Sequence, residues 1–177
     1  MDERYFNLKI VEAEYDDKGV LRNLLNLYAY DRSEFTGNEP NSFGVFEYVY
    51  LEHYWTPQGK DEGRIPYLLK INNKLAGFVL VNSVSCLNRK DITHSIAEFF
   101  IMRKWRRKGF GKAAAFELFN KLPGKWEVSQ ERKNKNAQIF WRSIINEYTQ
   151  GKYEEFKTDD KFVQIFKSSS IYILTNS

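Results

Sequence analysis

The N-terminal half of the chain changes hydrophobic period several times, and each period predicts an element. Apolar residues partly alternate over residues 5–13, which predicts a first strand. Two apolar runs joined at Asn72-Asn73 predict a hairpin over residues 66–81, because asparagine tolerates the positive φ of a tight turn. Between them, start signals precede a helix that would lay its apolar side chains on a sheet: Leu21, Leu24, Leu25, Leu27 and Tyr28.

The C-terminal half predicts another buried strand, two amphipathic helices and several short strands. Residues 96–102 form an apolar, aromatic-rich run that is typical of a buried strand. Helix-spaced apolar residues follow in two groups, first Ala115, Leu118, Phe119 and Leu122, then Ala137, Phe140, Trp141, Ile144, Ile145 and Tyr148. Further strands are predicted over residues 126–130, 153–156, 162–166 and 171–174.

The order of these elements favours one fold class. Strand, helix, irregular segment, hairpin, strand, helix, strand, helix and terminal strands together predict a mixed α/β (α+β) fold with a largely antiparallel sheet. Its one βαβ crossover would run from the strand at 96–102 to the strand at 126–130. At 177 residues the chain has the length of one domain, so we expect residues 1–177 to form a single unit.

Residues 31–64 lack a clear period and are interrupted by glycine and proline. A plain connector of this length is uncommon and the segment is rich in aromatic residues, so we expect an ordered helical lid or pocket wall. Its acids outnumber its bases, which favours a cationic substrate nearby. The acids are Asp31, Glu34, Glu39, Glu47, Glu52, Asp61 and Glu62, and the bases are Arg32, Lys60 and Arg64.

Composition constrains compartment and partners. The net charge of +4 is too small to indicate a nucleic-acid partner. No apolar run approaches the roughly 20 residues of a membrane helix, and the first residues are acidic where a signal peptide would be basic. We therefore expect a cytoplasmic protein without a membrane partner. The lone Cys86 allows no internal disulfide, and His53 and His94 lack metal-ligand spacing, so we expect no metal.

The strongest chemical signal is a glycine-rich turn between a strand and a helix. Gly109 and Gly111 follow the buried strand and open the next helix. Glycine lets a ligand approach the backbone, and the free amides and dipole of a helix N-terminus favour an anion. The spacing matches neither the dinucleotide fingerprint nor the P-loop. Nearby cations favour a polyphosphate guest: Arg103, Lys104, Arg106, Arg107 and Lys108.

Three segments resemble the GNAT superfamily of acetyl-CoA-dependent N-acetyltransferases. Arg106, Gly109 and Gly111 match its Arg/Gln-x-x-Gly-x-Gly/Ala motif. The run that begins at Glu98 resembles its fourth strand, and residues 134–141 resemble its Asn-x-x-Ala-x-x-Phe-Tyr helix. The resemblance covers residues 66–149 well and the first 65 residues only by element order. It departs from the family at Trp141, which stands where tyrosine is usual, and in lacking the Gly-Phe that commonly ends this helix.

The resemblance implies a sheet that splays in its middle and holds acetyl-CoA as cosubstrate. The pyrophosphate would bind the amides of the glycine-rich turn, and the backbone of Phe100 would polarise the thioester carbonyl. Asn134 matches the asparagine that reaches the cofactor arm. The implied cofactor-binding residues are Ile101, Arg103, Arg106, Arg107, Lys108, Gly109, Phe110, Gly111, Lys112, Asn134, Asn136 and Phe140.

Glu98 is the candidate general base. Burial in an apolar strand raises the pKa of a carboxylate toward the range useful for taking a proton, and the family often has an acid here. An ion pair with Arg103 or a residue of the 31–64 segment is the structural alternative, in which case Glu34 or Glu52 could replace Glu98. Trp141 cannot protonate the leaving thiolate and is expected to pack, and Tyr148 lies two helical turns too far.

The favoured function is transfer of acetyl from acetyl-CoA to a primary amine, with a small cationic molecule as acceptor and direct transfer in a ternary complex. A non-catalytic acyl-CoA-binding regulatory domain is the first alternative, because Trp141 replaces the usual acid. A nucleic-acid-binding module using residues 103–107 and 132–135 is the weaker one, because these cations flank glycines rather than form a stripe. The terminal strands of such folds also allow a homodimer.

Overall fold

The computed structural model describes residues 7–169. The predicted strand at 171–174 lies outside the described residues. The strands are β1 Leu8–Glu12, β2 Ile65–Ile71, β3 Lys74–Asn82, β4 His94–Ile101, β5 Gly124–Glu131, β6 Tyr153–Lys157 and β7 Lys161–Ser168. The α-helices are α1 Lys18–Thr36, α2 Pro57–Asp61, α3 Phe110–Lys121 and α4 Lys135–Thr149. Short 3₁₀ turns cover Tyr15–Asp17, Glu52–Trp55 and Arg103–Trp105.

The strands form one seven-stranded sheet in the order β1-β2-β3-β4-β5-β7-β6. Every neighbouring pair is antiparallel except β4 and β5, which are parallel and joined by α3. The predicted hairpin is confirmed, since β2 and β3 meet at Asn72 and Asn73, whose φ angles are 50° and 61°. The mixed α/β fold and its one βαβ crossover are therefore confirmed for the part of the chain described.

The sheet splits between β4 and β5. Their ladder runs only from the pair His94 and Trp126 to the pair Ile96 and Val128, although both strands continue beyond it. On its other edge β4 has a bulge, because Leu80 pairs with Glu98 while Val81 pairs with Ile96. A bulge bends its strand and increases the twist, which fits a strand that turns away from one neighbour. The split leaves a cleft in the middle of the sheet.

Two hydrophobic clusters cover the two faces of the sheet. The α1 face packs Leu21, Leu24, Leu25, Tyr54, Leu68, Phe78, Leu80 and Phe100. The opposite face packs Tyr67, Val79, Ala115, Leu118, Phe119, Trp126, Trp141, Ile145 and Tyr148 beneath α3 and α4. The predicted apolar faces are thus confirmed with one correction. Leu27 is half exposed, because it points away from the sheet that buries its neighbours Leu24 and Leu25.

Helix α1 is longer than its apolar pattern predicts. Residues 31–36 were expected to begin the irregular segment but continue the helix to Gly37, whose φ of 71° ends it. Five of these six residues are polar, so hydrophobic periodicity indicates them only through Phe35, seven residues after Tyr28. Asp31 and Arg32 anchor them through ion pairs. The remaining segment is ordered, with Leu51 and Tyr54 buried in the cluster on the α1 face.

Within residues 7–169, no helix combines the length and the apolar character needed to cross a lipid bilayer.

Candidate active site

A cleft of about 200 Å³ opens where β4 and β5 separate. Strand β4 contributes Glu98 and Phe99 to its walls, and β5 contributes Glu131. The α1 side adds Tyr28 and Arg32, the α4 side adds Asn134 and Trp141, and β7 adds Lys161, which pairs with Glu131 in the sheet. Strands that separate in the middle of a sheet leave the backbone groups of their facing edges without a partner strand. These groups are available to pair with a ligand in the cleft.

Glu98 points from the bulged part of β4 toward α1. Its Oε2 accepts a hydrogen bond from the Tyr28 hydroxyl at 2.7 Å and another from Arg32 Nη1 at 3.0 Å. Within residues 7–169 its Oε1 accepts no hydrogen bond, so one oxygen is held while the other is open. Burial raises the pKa of Glu98, and Arg32 and the Tyr28 hydrogen bond oppose that rise without cancelling it. The predicted direction of the pKa is therefore confirmed.

Arg32 bridges the two lips of the cleft. Its Nη1 binds Glu98, and its Nη2 forms an ion pair with Glu131 at the end of β5. Nη1 also donates to the Tyr28 hydroxyl at 3.1 Å, and the guanidinium lies 5.1 Å from the Tyr28 ring centre. The ion-pair alternative for Glu98 thus holds with Arg32 and not with Arg103, which binds Asp31 at 2.8 Å.

The glycine-rich turn has the geometry of an anion site. Gly109 caps α3 with φ 81°, and Arg107 before it also has a positive φ of 58°. No side chain of the described residues caps this helix, and its first hydrogen bond comes from the amide of Ala113. The amides of Gly111 and Lys112 in the first turn therefore have no intrahelical partner. A Cβ on Gly109 would meet nothing within 4 Å, so the turn is open to a ligand.

The predicted cations around this turn differ in their availability. Arg107 and Lys108 are exposed. Arg103 and Arg106 both bind Asp31, the latter at 2.5 Å, and Arg106 Nε also donates to the Ile101 carbonyl at 2.6 Å. Two of the predicted cofactor ligands are therefore partly neutralised by an acid of α1. Lys112 forms an ion pair with Glu147 of α4.

Of the predicted residues at α4, Asn134 and Trp141 line the cleft, whereas Asn136 and Phe140 lie outside its lining. Asn134 Oδ1 accepts from the Ala137 amide at 3.0 Å and so caps α4, while Asn136 is exposed. The Phe140 ring would be 3.0 Å from a Cβ on Gly111, so only glycine fits there without displacing the ring. Trp141 is buried and packs edge-on against Phe99 with ring centres 5.0 Å apart. The prediction that Trp141 packs is confirmed.

Several residues weighed from the sequence do not reach the cleft. The Tyr148 hydroxyl donates to Asn120 Oδ1 at 2.8 Å, on the α3 side, so Tyr148 does not act in the cleft. Glu34 is exposed and Glu52 pairs with Lys18, so neither can replace Glu98 in this arrangement. Burial raises the pKa of Cys86 to about 11, which leaves little nucleophilic thiolate at neutral pH.

A family model described as the acetyltransferase (GNAT) family matches residues 11–159. The chain belongs to the GNAT family. It is therefore an acyltransferase, and acetyl-CoA is the acyl donor that this family uses. No curated protein matches the chain in sequence.

Solved GNAT structures share the fold at low sequence identity. The ribosomal-protein-S18-alanine N-acetyltransferase of Escherichia coli is 13% identical, covers 97% of this chain and 100% of its own, and gives a TM-score of 0.59. PaiA N-acetyltransferase of Thermoplasma acidophilum, in complex with coenzyme A, is 12% identical over 91% and 99%, with a TM-score of 0.55. A chimera of Vibrio cholerae spermidine N-acetyltransferase SpeG and hSSAT is 14% identical over 90% and 95%, with a TM-score of 0.58.

Sequence reasoning missed Tyr28, Arg32 and Glu131 as members of the GNAT cleft. Tyr28 was assigned only to the apolar face of α1, and Arg32 only to the charge balance of the next segment. Their spacing of four residues is the one signal that could have linked them, because side chains four apart share a helix face. Nothing local in the sequence indicates that Glu131 and Glu98 would meet the same guanidinium.

Proposed function

We propose that this chain is an N-acetyltransferase that transfers the acetyl group of acetyl-CoA directly to a primary amine, with a small cationic molecule as acceptor. The observation that carries the proposal is the Glu98 carboxylate. It lies in the cleft of the split sheet with Oε2 held by Tyr28 and Arg32 and with Oε1 open. A carboxylate with a raised pKa, fixed on one side and free on the other, is suited to take a proton.

The residues around the cleft suggest where the donor binds. The first-turn amides of Gly111 and Lys112 suit the pyrophosphate, with Arg107 and Lys108 beside them. The edge of β4 beyond Ile96 offers backbone groups to the pantetheine arm. The Phe100 carbonyl faces Gly77 on β3, so Phe99 and Ile101, rather than Phe100 as the resemblance implied, present their backbone groups to this edge. An amide there can stabilise the oxyanion that forms when the thioester carbonyl is attacked. A glycine at position 111 leaves room for the ring of Phe140 between the turn and α4.

In the proposed reaction, Glu98 takes a proton from the ammonium form of the acceptor, directly or through water. The neutral nitrogen attacks the thioester carbonyl, the C–N bond forms and the C–S bond breaks. The thiolate leaves without a general acid because the pKa of a thiol is modest, and it takes up through solvent the second proton that the nitrogen loses as the amide forms. Glu98 then returns its proton to solvent. Tyr28 is a poor proton donor for this step, because burial raises its pKa well above the ordinary value of tyrosine.

The choice of a cationic acceptor rests on Glu98 and Glu131, whose carboxylates both line the cleft. The acids of the 31–64 segment do not supply this support. None of them lines the cleft, and Asp31, Glu52 and Glu62 each form an ion pair with a base. The relatives include one named for spermidine and one named for a ribosomal-protein alanine, so both small and protein-borne amines belong in the acceptor panel.

The test is release of free thiol from acetyl-CoA across a panel of charged and uncharged amines. We expect turnover with cationic amines, and we expect Glu98→Gln to lower kcat by about 10²- to 10⁴-fold while coenzyme A affinity stays unchanged. Glu34→Gln removes an exposed carboxylate from the same helix as Arg32 and should leave the rate unchanged. Coenzyme A binding without turnover on any amine would instead favour an acyl-CoA-binding regulatory domain.

A further inference from the structure

We propose that Arg32 is an internal substitute for the acceptor: its guanidinium occupies the cation position between Glu98 and Glu131, and the acceptor must displace it to react. The inference rests on the proposed function and narrows its substrate class. It assigns the acceptor as an amine that carries a second cationic group, with the reacting nitrogen at Glu98 and the second cation at Glu131.

The first argument is the position of the guanidinium. Its two terminal nitrogens bind carboxylates on opposite lips of the cleft, one on β4 and one on β5. The ladder between these strands has already ended, so the side chain of α1 closes an opening that the sheet leaves. An amine that approaches Glu98 from the α1 side meets Arg32 before it reaches the carboxylate.

The second argument is charge. With Arg32 in place, Glu98 has a permanent cation on its Oε2, and a protonated acceptor is repelled from the same site. If Arg32 leaves, two carboxylates remain in one cleft, with Lys161 as the nearby base. One ammonium replaces the contact to Glu98 but loses its charge when it gives up its proton. A second cation on the same molecule keeps Glu131 paired throughout the reaction.

The third argument is that Arg32 can be displaced. It lies four residues before the end of α1, and its side chain is 26% exposed, as is 29% of the Glu131 side chain. The Glu98 side chain is only 15% exposed, so the guanidinium leaves at low cost only when another cation takes its place, as a dicationic acceptor can. Asp31 holds the same helical turn to Arg103 and Arg106, so the backbone can stay in place while the Arg32 side chain swings out.

The experiment measures binding calorimetrically at pH 8.5 without acetyl-CoA, with diaminopropane and propylamine as probes. We expect wild type to prefer diaminopropane. Arg32→Gln should bind both amines at least about tenfold more tightly, because the internal competitor is gone. Glu131→Gln should lower the affinity for diaminopropane by about tenfold and change the affinity for propylamine little. Glu34→Gln, the matched loss of a carboxylate on α1, should change neither.

The kinetic counterpart separates a substitute for the substrate from a structural brace. Arg32→Gln should lower KM for diaminopropane, whereas a residue that only braces the lips would raise KM and lower kcat together. Arg32→Lys keeps one charge but cannot bridge both carboxylates, so its amine affinity should fall between wild type and Arg32→Gln. Thermal unfolding of each variant shows whether it is folded. If Arg32→Gln is unfolded, the amine affinity and KM of Arg32→Lys test the inference in its place.

Equal or weaker amine binding by a folded Arg32→Gln or Arg32→Lys variant would overturn the inference. Because binding is measured without the acyl donor, the two proposals fail separately. The expected affinity pattern without any acetyl transfer would keep the role of Arg32 and reject the N-acetyltransferase. Acetyl transfer with the same KM in wild type and in the Arg32 and Glu131 variants would keep the N-acetyltransferase and reject the role of Arg32.

Discussion

Tyr28 and Arg32 hold one oxygen of Glu98, and this contact has a consequence for the pH dependence of the reaction. Burial raises the pKa of Glu98, while Arg32 and the Tyr28 hydrogen bond lower it, with a smaller effect from Lys161. Tyr28→Phe removes one of the groups that favour the ionised form, so the pKa of Glu98 should rise further. Since Glu98 accepts a proton only when ionised, the low-pH limb of kcat/KM should move to higher pH.

The matched control is Tyr148→Phe, because the Tyr148 hydroxyl binds Asn120 outside the cleft. It should leave the limb where it is in wild type. A limb that moves to lower pH in Tyr28→Phe, or that moves equally in both variants, would contradict the assignment of Glu98 as the base. The acceptor concentration should be kept well below KM, so that kcat/KM is measured directly.

Asp31 is the second residue with a testable effect, because it pairs with two arginines that we predict to bind phosphate. Burial alone would raise its pKa, but hydrogen bonds from Arg106 and Arg103 outweigh burial and hold the pKa below its ordinary value, so Asp31 is charged at neutral pH. Asp31→Asn frees both guanidinium groups. We expect coenzyme A to bind roughly two- to fivefold more tightly by calorimetry, because partly exposed ion pairs are weak competitors.

Asp61→Asn is the control for Asp31→Asn, since it removes the same charge from an exposed position on α2. The gain in affinity should also shrink at high salt, where exposed charges are screened. Weaker coenzyme A binding by Asp31→Asn would mean that Asp31 orients the arginines for the phosphate rather than competing with it.

At the scale of the element, the N-terminus of α3 is the part of the site that depends most on backbone. Gly109 has a positive φ, and a side chain there would meet nothing within 4 Å. Asparagine and aspartate have the same shape and both tolerate this conformation, so Gly109→Asn and Gly109→Asp differ only in charge. We expect Gly109→Asp to bind coenzyme A at least about tenfold more weakly than Gly109→Asn does. The aspartate puts a negative charge where the helix dipole favours a phosphate.

Thermal unfolding of the two Gly109 variants should agree closely, since a small strain from the positive φ is common to both. Equal coenzyme A affinity in both variants would show that the phosphate does not bind at the N-terminus of α3. That result would leave the fold and the family unchanged, because neither depends on where the cofactor lies.

The elements also show how far the sequence predicts this fold. The β2–β3 hairpin and the crossover through α3 follow from local signals, namely paired asparagines and helix-spaced apolar residues. The last turns of α1 do not, because their order depends on Asp31 and Arg32 meeting partners that lie at least 66 residues away. The resemblance to a motif implied the split between β4 and β5, and the ladder that ends at Ile96 and Val128 confirms it.

The candidate site follows the same division. Glu98 was predicted because a single acid in an apolar run stands out, and the glycine-rich turn was predicted from its composition. The partners of Glu98 were not, since Tyr28 and Arg32 lie on a helix distant in sequence and Glu131 lies on a strand beyond the crossover. The sequence shows which residues can carry charge, but only the packing of α1 across the split sheet decides which charges meet.

On the scale of the whole molecule, coenzyme A should join parts that the split separates. The edge of β4 and the start of α4 line one cleft, and Gly111 at the start of α3 lies against Phe140 of α4. The two clusters on either side of the sheet hold these parts in place. A ligand that binds only the folded chain at 100 times its Kd contributes about 2.7 kcal/mol to the free energy of unfolding. For a chain of this length we therefore expect coenzyme A to raise Tm by roughly 5–10 °C.

Scanning calorimetry with coenzyme A and with pantetheine, which lacks the nucleotide and the pyrophosphate, tests this expectation at equal concentrations. If the amides and cations of the turn before α3 bind the phosphates as we propose, the Tm of wild type should rise with coenzyme A and scarcely change with pantetheine. Gly109→Asp should lose most of the coenzyme A response while Gly109→Asn keeps a larger part of it. An equal rise in Tm with both ligands would place the binding energy in the pantetheine arm along β4, and the phosphate turn would then have no part in holding the donor.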